Sequence, residues 1–321
     1  MQRCTGHKMR QANKMDLALI TIEKITGMFL IMMTGVAAYH WRILDSYSNK
    51  RLSGLLLNVV APATLFMSYQ IEFQPERLKG LLITLALSLA SYVWVLILIN
   101  FLIPLKKGED AAIEQLAVIY SNCGFIGIPL VNGILGTEGV FYLTAYITAL
   151  NLMIWSHGQA VIRGMVDGKR LVKNFIQPCT VAIGLGILFY VLRIRIPEVG
   201  ASPLTMVGDM NTPMAMLVAG CSLAESNLVE VLKEKRIYWI CFLKLLLIPA
   251  VSILILSRIP VEKIYIMTII TAISCPTAAT GSMFAIQYNK NSQYASELFT
   301  MATVLSLLTI PLMILLAGWL L

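Results

Sequence analysis

Apolar residues fill this chain in runs about one bilayer long, separated by short polar connections. The runs fall at 16–38, 52–70, 80–104, 111–135, 138–162, 176–192, 203–224, 237–257, 262–288 and 294–320. A helix needs roughly 17–25 residues, rising about 1.5 Å each, to cross the hydrocarbon. The pattern therefore predicts ten transmembrane helices and an all-α integral membrane protein. The connections are too short for a separate soluble domain. Residues 1–14, MQRCTGHKMRQANK, are polar and basic, with no cleavage pattern after them. They are expected to be a disordered leader, or Met15 the natural start.

Two runs are interrupted. The fourth contains SNCGFIGIP, where Asn122 and Gly124 weaken a helix and Pro129 lacks an N–H for the turn before it. The ninth contains SCPTAATGS, where Pro276 disrupts the preceding turn. Lipid cannot satisfy freed backbone groups, so such breaks must be buried in protein or line a wet cavity. Thr277, Thr280 and Ser282 are expected to supply hydroxyls to the freed groups of the ninth run. The interruptions also pair by spacing. Pro62 in NVVAPATLFMS matches Pro213 in MNTPMAMLVAG, 151 residues on, and Asn122 matches Pro276, 154 residues on. Two pairs at nearly one offset predict two halves of five helices, residues 15–165 and 176–321, joined by a linker at 166–175. Five is odd, so the second half enters the membrane upside down. Paired broken helices at matching positions in two halves point to a transporter's binding site. The N-terminal ends of the second half-helices carry partial positive charge and free N–H groups, which suit an anion.

Composition sharpens this. The chain has 321 residues, 58% hydrophobic and 13% charged, with mean hydropathy +0.76; a soluble domain carries roughly 25% charge. The net charge of +8 is scattered in short loops, which argues for topology control and against nucleic acid. One set of loops holds Arg42, Lys50, Arg51, Lys106, Lys107, Arg163, Lys169, Arg170, Lys173, Lys233, Lys235, Arg236 and Lys290. The other holds Arg77, Lys79, Arg193, Arg195, Arg258 and Lys263. The first set is expected to be cytoplasmic and both termini extracytoplasmic, in a multi-pass protein of the cell membrane. The basic leader, with Arg3, Lys8, Arg10 and Lys14, argues the other way.

Other polar residues inside the runs are candidates for chemistry. Lys244 in YWICFLKLLLIPAV lies about two turns into the eighth run. It could attract substrate, form an internal ion pair, or snorkel to the interface. His157 could carry a proton or simply be a hydrogen-bonded packing residue. Asp209, near the end of the seventh run, could serve the substrate or coupling ion or be a plain cap. Cys4, Cys123, Cys179, Cys221, Cys241 and Cys275 show no metal-ligand spacing, and only three histidines occur, so no metal site and no cofactor are expected. There is no phosphate-binding G-x-x-x-x-G-K-[ST] loop and no credible catalytic triad or carboxylate pair, which argues against an ATP-driven pump and against an enzyme.

These segments resemble a known family. SNCGFIGIPL is similar to the N-T-x-x-x-G-I-P-L signature of the auxin efflux carrier family, which includes plant PIN-type carriers and bacterial transporters assigned to malonate and other organic acids. SCPTAATGSMFAIQYN resembles the family's interrupted ninth helix, and APATLFMS and PMAMLVAGCSLA its second and seventh. The resemblance runs from about Met15 to the C-terminus. It implies two inverted five-helix repeats with helices 4 and 9 crossed, a scaffold around that crossover, and a gating part from helices 1, 2, 6 and 7, which carry Pro62 and Pro213. By position, Asn122 falls on the family's crossover asparagine, Ser121 replaces the proline before it, and Pro276 falls on the crossover proline. Asn151 and Ser156 fall where plant carriers place a glutamine and a tyrosine at the substrate. The acidic residue of helix 3 has no counterpart in LKGLLITLALSL, so coupling does not carry over. The long cytoplasmic loop of plant members is absent, which suggests a compact bacterial-type member.

The resulting expectation is a secondary transporter of a small organic anion, such as a carboxylate, working by alternating access. Its substrate site would comprise Ser121, Asn122, Cys123, Gly124, Asn151, Ser156, Pro276 and Thr277. Coupling would be to H+ or Na+, or absent. A homodimer is expected by analogy only, with membrane lipid as surroundings. Two alternatives remain: a sodium-coupled symporter of bile-acid type, and a membrane ligand sensor that transports nothing.

Overall fold

The computed structural model describes residues 14–105, 110–163, 177–225 and 234–321. Residues 1–13 of the leader, the 166–175 linker, and Lys106, Lys107, Lys169, Arg170, Lys173 and Lys233 lie outside the described residues. Lys14, assigned to the leader by sequence, already belongs to the first helix.

The described residues are helical, with no named strand. In order, the helices are α1 (Lys14–His40), α2 (46–67), α3 (Pro75–Leu102), α4 (Ala111–Ile119), α5 (Cys123–Arg163), α6 (Pro178–Val191), α7 (Glu198–Asp209), α8 (Asn211–Glu225), α9 (Lys235–Leu256), α10 (Lys263–Ser274), α11 (Thr280–Gln287) and α12 (Ser292–Leu320). By length and composition, α3, α5, α9 and α12 can each cross a membrane. At 41 residues, a straight α5 would run about 62 Å, twice the hydrocarbon thickness. It is not straight: Gly136 has φ 69° and ψ −166°. Glycine adopts that conformation without steric cost, and it sits between the fourth and fifth predicted runs. Helix α2 starts six residues before its apolar run, at Ser46, because Asp45 caps it by accepting from the Ser48 N–H at 2.7 Å. That hydrogen bond holds the Asp45 carboxyl below its ordinary pKa.

Proline shapes several of these helices. Three wide, π-type turns end two residues before a proline: Leu56–Val60 before Pro62, Cys123–Gly127 before Pro129, and Leu243–Leu247 before Pro249. Proline donates no hydrogen bond and its ring crowds the carbonyl one turn back, so the preceding turn widens. Pro213 acts differently. It lies in the first turn of α8, just after Met210 separates α7 from α8.

The helices can be grouped into two sets, which also pack on each other through α1–α12 and α1–α5 contacts. Helices α1, α2, α6, α7 and α8 are linked through α1–α8, α8–α2, α2–α6 and α2–α7 contacts. Helices α3, α4, α5, α9, α10, α11 and α12 are linked through α3–α5, α5–α10, α10–α12 and α4–α9 contacts. In the second set, buried Glu114 of α4 accepts from two nitrogens of the Arg236 guanidinium of α9, Nε and Nη2, at 2.7 Å each and from the Tyr294 hydroxyl of α12 at 3.0 Å. That clamp ties three helices at one end of the set. In the first set, α1 and α8 approach closely because Gly35 and Gly220 lack side chains. A Cβ on Gly220 would strike the Met32 carbonyl, and one on Gly35 the Leu217 carbonyl. Small residues let membrane helices pack this way.

Gly220→Ala should therefore destabilise the protein by about 1–3 kcal/mol through overpacking against backbone. Gly54→Ala is the control, since nothing lies within 4 Å of a Cβ there. Thermal unfolding in detergent should show a lower midpoint for the first variant only.

Candidate functional site

The interruptions in the fourth and ninth runs meet. Helix α4 ends at Ile119 and α5 begins at Cys123; α10 ends at Ser274 and α11 begins at Thr280. Between them, Ser121 and Thr277 form an antiparallel bridge. The Asn122 N–H donates to the Pro276 carbonyl at 2.8 Å, and the Ala278 N–H donates to the Tyr120 carbonyl at 2.9 Å. Each break thus satisfies backbone groups freed by the other. This corrects the expected roles of Thr280 and Ser282: their hydroxyls are buried and have no hydrogen-bond partner. Thr277 does use its hydroxyl, donating to the Ala117 carbonyl of α4 at 3.0 Å.

Asn122 occupies the N-cap of α5, yet its side chain makes no capping bond. Among the described residues the first-turn N–H groups of Gly124 and Phe125 have no backbone acceptor, as expected for the first turn of a helix. A Cβ on Gly124 would meet nothing within 4 Å, whereas one on Gly127 would touch Cys123 and Cys275. One face of the α5 start is therefore open beside Gly124, and the other is packed. That face lies at the positive end of the helix dipole, next to Asn122, whose side chain makes no capping bond.

Lys244 completes the electrostatics. It is 1% exposed, so it does not snorkel. Its ammonium donates to the Ser121 hydroxyl at 2.5 Å and to the Ile273 carbonyl at 3.5 Å. Ser121 in turn donates to Ile273 O at 3.3 Å. Among the described residues no carboxylate pairs with Lys244, which also removes the expected internal ion pair. The residue sits in the wide turn Leu243–Leu247 that Pro249 opens. A buried, unpaired ammonium costs several kcal/mol, partly offset here by the negative C-terminal end of α10.

The remaining predicted residues lie elsewhere or are otherwise engaged. Cys123 is fully buried, its thiol toward the Ala272 carbonyl at 3.7 Å. His157 Nδ1 is 3.0 Å from the Tyr120 hydroxyl, which also donates to the Met153 carbonyl at 3.0 Å. That is the geometry of a hydrogen-bonded packing histidine beside the break. The Asn151 amide donates to Thr180 of α6 at 3.3 Å, and the Ser156 hydroxyl bonds back to the Leu152 carbonyl at 2.5 Å. Both are half-buried, with no hydrogen bond to either break. Asp209 is exposed at the end of α7. Next to it, Thr64 of α2 donates to the Gly208 carbonyl of α7 at 2.9 Å, so the helix that carries Pro62 touches the helix that precedes Pro213.

One residue escaped the sequence reading. Asn211, the first residue of α8, is 2% exposed, and neither its amide nitrogen nor its oxygen has a partner among the described residues. Helix α8 packs on the Cys123–Gly127 turn. The available signal was a polar amide two residues before Pro213 inside an apolar run.

The membrane transport protein family matches the chain twice, over residues 20–167 and 164–314. A relative from Methanothermobacter thermautotrophicus, described as an uncharacterized transporter, is 23% identical over 300 residues, covering 90% of this chain and 96% of the relative. The chain therefore belongs to the membrane transport protein family, that of the auxin efflux carriers, and is a multi-pass membrane transporter and not an enzyme.

Proposed function

We propose that this chain is a secondary transporter of a small organic anion, such as a carboxylate. The observation that carries this reading is the buried Lys244 ammonium bonded at the paired breaks, with no carboxylate among the described residues to neutralise it. A positive charge at the fourth-run break, in the same region as the N-terminal start of α5, favours a negatively charged ligand. The unengaged Asn122 amide and the open space beside Gly124 supply hydrogen bonding and room. Thr280 and Ser282, at the start of α11, offer two unpartnered hydroxyls from the opposite break.

Ten spans in two inverted halves fit the two consecutive family matches and the reciprocal bonds between breaks 154 residues apart. In alternating access, the set containing α4, α5, α10 and α11 holds the site, and the set containing α1, α2, α6, α7 and α8 moves against it. Asn211 would then approach the anion from the moving side. The cell membrane with both termini outside remains the preferred placement.

A thermal-shift screen of purified protein against mono- and dicarboxylates, with neutral and cationic analogues as controls, tests the ligand class. Binding to the folded state raises apparent stability. At least one carboxylate should raise the midpoint, while its amide analogue should not. A response confined to cationic or neutral compounds would remove the anion reading.

A further inference from the structure

Lys244 places an ammonium where two kinds of oxygen converge. One is the Ser121 hydroxyl, inside the fourth-run break; the other is the Ile273 carbonyl, in the last turn of α10. Carbonyls at the C-terminal ends of half-helices beside a break are the groups with which broken-helix transporters hold a coupling cation. The surroundings add further polar atoms. The Ser274 hydroxyl, one residue on, is buried without a partner, as is Thr268 on the same helix. The thiols of Cys123 and Cys275 lie in the same region, both fully buried.

We propose that the Lys244 ammonium is a tethered cation standing where a coupling sodium ion would otherwise bind, so that this chain moves its anion without sodium. The proposal rests on the anion-transport reading and narrows it by assigning the cation of the site to the protein itself. Lys244 then acts as a positioning residue. Its charge orients the Ser121 hydroxyl and sets the local field at the break, and at 1% exposure it reaches the anion only through the groups it contacts.

The experiment exchanges choline chloride for sodium or ammonium chloride at constant ionic strength and follows thermal unfolding of the full chain. Wild type should show no sodium-specific shift, because its site is filled. Lys244→Ala removes both stem and charge. In choline its midpoint should fall, and sodium or ammonium should restore it by more than ~2 °C, since a ligand of the folded state raises its stability. Lys244→Met fills the stem's volume without a charge and should respond to neither ion. A sodium-specific shift in wild type overturns the proposal, and so does a Lys244→Ala variant indifferent to small cations. If Lys244→Ala yields no folded protein, wild type and Lys244→Met decide: a sodium response in either overturns it, and none in both sustains it. These readouts need no substrate. Loss of anion flux across every carboxylate tried would therefore sink the transport reading while leaving the cation result standing.

Discussion

Asn122→Ala should lower anion flux by about 10- to 150-fold while the protein folds and inserts as before. The magnitude follows from losing a hydrogen bond to a charged partner, worth about 1.5–3 kcal/mol. An asparagine at an N-cap normally costs about 1 kcal/mol of stability when replaced by alanine. Here that loss should be absent, because the Asn122 side chain makes no capping bond. The backbone bonds that join the breaks run through the Asn122 N–H and the Ala278 N–H, which alanine at 122 leaves in place. Function and stability should therefore separate, with flux lost and the unfolding midpoint kept. A parallel fall in both would make Asn122 a structural residue.

The breaks themselves were legible in the sequence. Asparagine, glycine and proline inside apolar runs stand out because they are costly there, and the pair chosen by spacing, Asn122 and Pro276, proves to be directly hydrogen-bonded. The gap between the fourth and fifth runs was also legible, since only Gly136 accepts its backbone conformation. Side-chain direction was not. A lysine stem can reach the interface or the interior, and the wide turn before Pro249 is part of the local geometry that carries Lys244 inward. The duties of Thr280 and Ser282 were misread for a related reason. Residue types show that freed backbone groups need partners, but the partners came from the other break, through contacts more than 150 residues apart. Asn211 was invisible because its burial depends on how α8 lies against its neighbours.

Lys244→Met should reduce flux at least about tenfold, the equivalent of one charge interaction of about 1.4 kcal/mol. Stability should stay level or rise, because replacing a buried charge with an apolar side chain of similar volume is often neutral or stabilising. Ser121 keeps its bond to the Ile273 carbonyl in this variant, so no hydroxyl is orphaned. That combination separates a functional charge from a structural one, whose removal would lower the melting midpoint. It also separates it from a snorkelling lysine, whose removal would change neither quantity.

The central claim is that a small organic anion crosses the membrane through the paired breaks. Its most direct test is uptake of the radiolabelled carboxylate that gives the largest thermal shift, in proteoliposomes of wild type and Asn122→Ala. Wild type should accumulate label in a saturable manner that unlabelled substrate suppresses, and Asn122→Ala should do so about 10- to 150-fold more slowly. Saturable binding without accumulation in wild type, or wild-type rates in Asn122→Ala, would contradict the account.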